Sequence, residues 1–139
     1  MKRVRLFFSV CSIIVIMFMS SEVLAAEWFT KFSKEDWIWS TADTVVTTMD
    51  WGQTLDIVDR GDIYHETNFY LGDHPSRGKV NTYFFIANAF QWGVSWALPT
   101  DAELLGFRFN PRRAFQVTWA TVETTTVAHN YAIGLRFSF

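Results

Sequence analysis

The stretch Val80–Leu98, VNTYFFIANAFQWGVSWAL, decides how the chain reads: 19 residues without a formal charge, stopped by Pro99. A helix needs about 20 predominantly apolar residues to cross a hydrocarbon core roughly 30 Å thick. The centre of the stretch, Tyr83-Phe84-Phe85-Ile86-Ala87, is continuously apolar and shows no strand-like alternation. Inside it Asn81, Asn88, Gln91 and Ser95 recur at steps of seven, three and four. That spacing predicts one polar face on one helix.

The same device appears on both sides. Around Trp37–Val58, Asp43, Thr47, Asp50 and Thr54 share a face, with Gln53 beside it. Around Ala114–Ile133, Gln116, Glu123 and Asn130 share another. Each Asp near the middle of a lone span costs about 3 kcal/mol on insertion scales, so the first segment needs partner helices. Polar residues inside a bilayer turn towards each other. The expectation is an all-α fold: a small integral membrane bundle of three helices held by Asp43, Asp50, Gln53, Thr54, Asn81, Asn88, Gln91, Gln116, Glu123 and Asn130.

The N-terminus adds to this. Lys2, Arg3 and Arg5 precede the uncharged apolar run Leu6–Met19, and Val23-Leu24-Ala25 fits a small-residue cleavage pattern. This is the layout of a secretory signal peptide. Residues 1–26 are therefore expected to be a signal peptide or, if uncleaved, an anchor that makes a fourth helix. Residues 27–139 are expected to form one membrane-embedded domain. The inner membrane of a bacterial envelope is the expected location. Loop charge does not settle the orientation: Arg60, Arg77 and Lys79 in one connection are matched by Arg108, Arg112 and Arg113 in the other.

Composition limits the alternatives. The chain is 139 residues long, 18% aromatic and 19% charged, with a formal net charge of -2. That length is one domain, and the charge gives no basic field for nucleic acid. Cys11 is the only cysteine, so no intrachain disulfide or cysteine-based zinc site can form. No phosphate-cradling glycine loop, serine nucleophile motif or nucleotide fingerprint is present, and no cofactor is implied.

Two features compete with a purely structural role. The first is a loop-face cluster of His65, Glu66, Asn68, His74 and His129. His65 and His74 sit in the Asp59–Lys79 connection, and the third segment returns towards it. Converging imidazoles and carboxylates are what a metal needs. However, His65-Glu66-Thr67-Asn68 lacks the second His of the zincin helix, so no metal site is assigned. A membrane-embedded enzyme, metal-dependent or not, is the alternative this cluster would serve, and its catalytic residues are unknown. The second feature is Asp50 opposite Glu123, a pair able to share a proton. The plainer role of both carboxylates is a network with Asn88, Gln91 and Gln116 that keeps the helices in register.

A rival architecture sits at the C-terminus. Tyr131, Ile133, Leu135, Phe137 and Phe139 alternate with Ala132, Gly134, Arg136 and Ser138 and end on Phe. That is the pattern of a closing strand in an outer-membrane β-barrel, and an exported chain suits it.

Asp50-Trp51-Gly52-Gln53-Thr54, Tyr64-His65-Glu66-Thr67-Asn68, Gly72-Asp73-His74-Pro75-Ser76 and Ala128-His129-Asn130 form a recurring set. With them, Thr41–Phe139 resembles a group of small, uncharacterised membrane proteins of bacteria and their phages. The group's first loop has Glu-x-Asn-Pro, and Phe69 stands where its Pro would be. The resemblance implies a helical membrane protein and brings no activity. The functional expectation is a non-enzymatic envelope protein whose partners are the lipid bilayer and a second copy or another membrane protein.

Overall fold

The computed structural model describes residues 26–104 and 106–139, so the segment expected to be a signal peptide or anchor lies outside the described residues apart from Ala26. The element order is α1 (Lys34–Asp59), α2 (Arg77–Ala97), β1 (Ala102–Leu104), β2 (Phe107–Phe109) and α3 (Pro111–Ala132). The fold is mostly helical, with α1 packed against both other helices and α2 and α3 touching each other less. No helix among the described residues is long and apolar enough to cross a membrane.

Local chemistry explains where each helix begins. Ser33 and Asp36 form a reciprocal capping box at α1, with Glu35 and Asp36 complementing the helix dipole in the first turn. Ser76, after Pro75, caps α2 by accepting from the Lys79 backbone. Asn110 caps α3, and Pro111 supplies a preset φ at its first position. Threonines are mediocre helix formers, yet here they back-bond: Thr44 to Ser40 O, Thr48 to Thr44 O, Thr121 to Val117 O and Thr125 to Thr121 O. Helix starts were expected at Trp37, Val80 and Ala114; each lies three residues earlier, because the cap residue and not the first apolar residue sets the boundary.

The second connection contains a structure that the sequence reading lacked. Strands β1 and β2 pair antiparallel, Ala102 with Phe109 and Leu104 with Phe107. Gly106 takes the positive φ (80°) of the turn between them, and Arg108 pairs with Asp101 beside it.

The barrel alternative is not the architecture of the described residues. Tyr131 and Ala132 belong to α3, and the chain after Ile133 pairs with no strand. It lies instead along the C-terminal half of α1. The Arg136 backbone N–H donates to Asp56 (2.7 Å), the Ser138 N–H to Gly52 O (3.0 Å) and the Ser138 hydroxyl to Asp59 (2.5 Å). Gly52 is needed for this seat: a Cβ there would lie 2.7 Å from the Phe139 ring. Gly134 turns the chain at φ 101°, where a Cβ would meet the Tyr64 hydroxyl at 2.8 Å.

The polarity of the fold is inverted. Among the described residues twelve buried side chains are polar or charged and nine are hydrophobic. Meanwhile Trp37, Ile38, Phe85, Ile86, Phe90 and Trp96 are more than half exposed. In a protein folded by water the ranking runs the other way. The compact apolar core, Leu55, Leu71, Val80 and Phe84 with Trp51 lying flat on Phe84, occupies only the end near the first loop.

Candidate functional site

The interior is a column of polar side chains along α1, and it is organised in levels. At the end holding the α1 and α3 N-termini, Arg112 is fully buried. Its Nε donates to Leu98 O (3.1 Å), Nη1 to Asp36 (3.1 Å) and Lys31 O (3.4 Å), and Nη2 to Thr30 O, Thr30 Oγ1 and Trp96 O. Phe32 covers the guanidinium face. Every N–H of that fork has a partner, which is the condition for a buried ion pair to hold. Burial pushes the Asp36 carboxyl up, but the bonds from Ser33 and Arg112 outweigh it and leave it below its ordinary value. Arg113 adds a second bond to Asp36, pairs with Glu35 and lies over Trp39.

About two turns further in, the charge balance changes. Asp43 is fully buried and accepts from Gln91 Nε2 at 2.9 Å. Gln91 also donates to Ser95 (3.3 Å), and Gln116 donates to Ser40 (3.0 Å) and Asp36 O (3.2 Å). Trp92 and Trp119 point their indole N–H groups into the column, onto Thr44 and Thr47. The level below holds Asp50 with Asn130 Nδ2 (3.0 Å), Gln53 on Val127 O and Asn88 on Phe84 O. Glu123 is within electrostatic reach of Asp50 and Asp43. Thr54 is buried in the same column.

The buried side-chain atoms left without a hydrogen-bond partner among the described residues are unevenly distributed. They are Asp43 Oδ1, Gln53 Oε1, Asn88 Oδ1, Gln91 Oε1, Gln116 Oε1, Glu123 Oε2 and Arg113 Nε. All but one are acceptor oxygens. The carboxamides cannot be flipped to cure this, because each NH2 already faces an oxygen acceptor. An unpartnered buried acceptor costs about 1–3 kcal/mol, so this concentration is a feature that needs a cause.

Other expected residues fall elsewhere. Asn81 is off the inner stripe: it is exposed and accepts from Trp51 Nε1 at 2.9 Å on the outside of the α1–α2 pair. At that end of α2 the inward positions are taken by Val80 and Phe84. His65 and His74 do meet edge to face, 4.9 Å between ring centroids. Glu66 folds back on the Thr67 and Asn68 N–H groups, and Asn68 accepts from Tyr70 N. No group of three His, Cys, Asp or Glu among the described residues could hold a metal ion. His129 is exposed in the last turn of α3.

Sequence reasoning missed Arg112 and Asp36, although the signal existed. Asp36 precedes Asp43 by seven residues and Arg112 precedes Gln116 by four, so each extends a stripe already recognised. Arg112 had been assigned to a connection by its charge. No protein-family model, no curated protein and no solved structure matches this chain.

Proposed function

We propose that this chain is a small integral membrane protein of the cell envelope with a structural or interaction role, its helices enclosing a polar network. The observation that carries the reading is the inverted polarity: Asp43, Gln91 and Gln116 buried, Phe85, Ile86, Phe90 and Trp96 outward. The helices have 26, 21 and 22 residues, about 39, 31 and 33 Å at 1.5 Å per residue. That matches a hydrocarbon core of about 30 Å. Mean hydropathy along a helix averages its faces, so α2, with Gln91 and Ser95 inward, falls short of a solitary span although Phe85, Ile86, Phe90 and Trp96 face outward. The aromatic group at one end, Phe32, Trp37 and Trp92 with Phe29 on Trp96, suits an interfacial belt.

On this reading the bilayer is the first partner. The resemblance to small bacterial and phage membrane proteins, an inner-membrane location and self-association belong to the same proposal. Expression of the full chain followed by alkaline extraction and brominated-lipid quenching tests it. Protein retained in the membrane, with tryptophan emission strongly quenched by lipid-borne bromine, is the expected result. A chain that stays folded and monodisperse without detergent, unquenched by vesicles, would overturn it.

A further inference from the structure

We infer that the Asp43 level is a binding site for a small monovalent cation, held by Asp43 with the carboxamide oxygens of Gln91 and Gln116. Each of the three helices supplies one ligand. Asp43 and Gln91 are in direct contact at 2.9 Å. Gln116 lies just beside this level: its amide donates to Ser40 Oγ, one turn before Asp43 on α1, and to Asp36 O, two turns before it. The three side chains are at most 1% exposed, and each keeps one oxygen without a partner. The amide orientations are fixed by their NH2 groups, Gln91 on Asp43 and Ser95, Gln116 on Ser40 and Asp36 O, so the oxygens are what remains to offer.

The chemistry selects the ligand. A cluster of acceptors takes a donor or a Lewis acid. A proton on Asp43 turns one oxygen into one donor and serves one neighbour. A cation receives several hard oxygens at once. One carboxylate with neutral carbonyls balances a single positive charge, and no group of three His, Cys, Asp or Glu among the described residues supplies the ligands of a multivalent metal. Arg112 does not neutralise Asp43, since its N–H groups are spent on Asp36 and the surrounding carbonyls. The inference rests on the interior alone and stands whether or not the bundle lies in a bilayer.

The test uses the full chain in mild detergent at fixed pH and ionic strength, unfolded by heat in NaCl, KCl, LiCl or choline chloride. One alkali cation should raise the midpoint saturably above choline. Asp43→Asn should abolish that difference, and Gln116→Leu should weaken the apparent affinity about tenfold, the loss of one good ligand contact. Sodium NMR relaxation on the unmutated protein gives a second readout that needs no variant: fast relaxation displaced by the preferred ion supports the site. Midpoints identical in all four salts, with no sodium relaxation effect, would mean a water-filled layer and overturn the inference. So would a midpoint that rises on acidification yet ignores the cation, which would assign a proton to Asp43.

Discussion

Two levels of the same polar column, about two helical turns apart, obey different rules. At the Asp36 level a fully buried arginine meets a fully buried aspartate, and the donors of Arg112 are all used. At the Asp43 level an equally buried aspartate has one carboxamide donor, and oxygens on all three helices are left over. The first is a lock between the N-terminal segment, α1, the end of α2 and α3, closed except for Arg113 Nε. The second is an open set of acceptors. Burial of charge is common to both, so burial alone does not say what a charge is for. The satisfaction of the neighbouring atoms does.

The largest effect should come from opening the lock. Arg112→Met leaves Asp36 buried with only the longer Arg113 contact (3.3 Å) as an ion pair, and losing one partner of a buried pair costs about 3–5 kcal/mol. Loss of helical signal, or a much lower thermal midpoint in detergent, would be the readout. Arg112→Met with Asp36→Leu should recover only part of the loss: no orphaned charge remains, but the α1 capping box and the donor to the Leu98, Lys31, Thr30 and Trp96 carbonyls are gone.

Acid attacks the same lock more gently. The Asp36 carboxyl is held below its ordinary value of 3.8. A depressed carboxylate stabilises the fold fully above its unfolded value and progressively less as pH falls through the folded one. Thermal midpoints should therefore be insensitive to Asp36 between pH 5 and 7 and fall below about pH 4. In Asp36→Asn that acid-dependent loss should be smaller.

A third prediction asks whether the opposite pole is closed as well. There Arg60 bonds Asp56 and Gly134 O, and the tail is tied to α1. Gly134→Ala forces a side chain into a positive-φ position against the Tyr64 hydroxyl and should cost about 1–3 kcal/mol. Faster proteolysis of the tail with unchanged helicity would confirm local release. An unchanged cleavage rate would mean the tail is not held as described.

The smallest effect is expected at the open level, and its sign sharpens the comparison. Asp43→Asn removes a charge with no ion pair, keeps an acceptor for Gln91 and adds a donor for the surplus oxygens. In choline chloride its midpoint should be equal to or above that of the unmutated chain, within about 1 kcal/mol. A loss comparable to Arg112→Met would show that the two levels are alike after all.

The contrast between these levels was only half legible beforehand. Periodicity placed Asp43, Gln91 and Gln116 on inward faces because a helix repeats every 3.6 residues whatever surrounds it. Arg112 was hidden because its charge suits a loop equally well, and nothing local reveals that six acceptors surround it. The C-terminal alternation misled for a related reason. A two-residue repeat describes any extended chain, and only the groove beside Gly52 decided that this one lies on a helix and not in a sheet.

By itself, then, the sequence determined the helices, their caps and the faces that carry polar groups, since these follow from neighbours within a turn. Tertiary structure alone decided which buried charges are paired, which acceptors are left over and where the tail rests. Those depend on groups up to 82 positions apart, as Arg112 and Thr30 are, and no local rule fixes such a meeting.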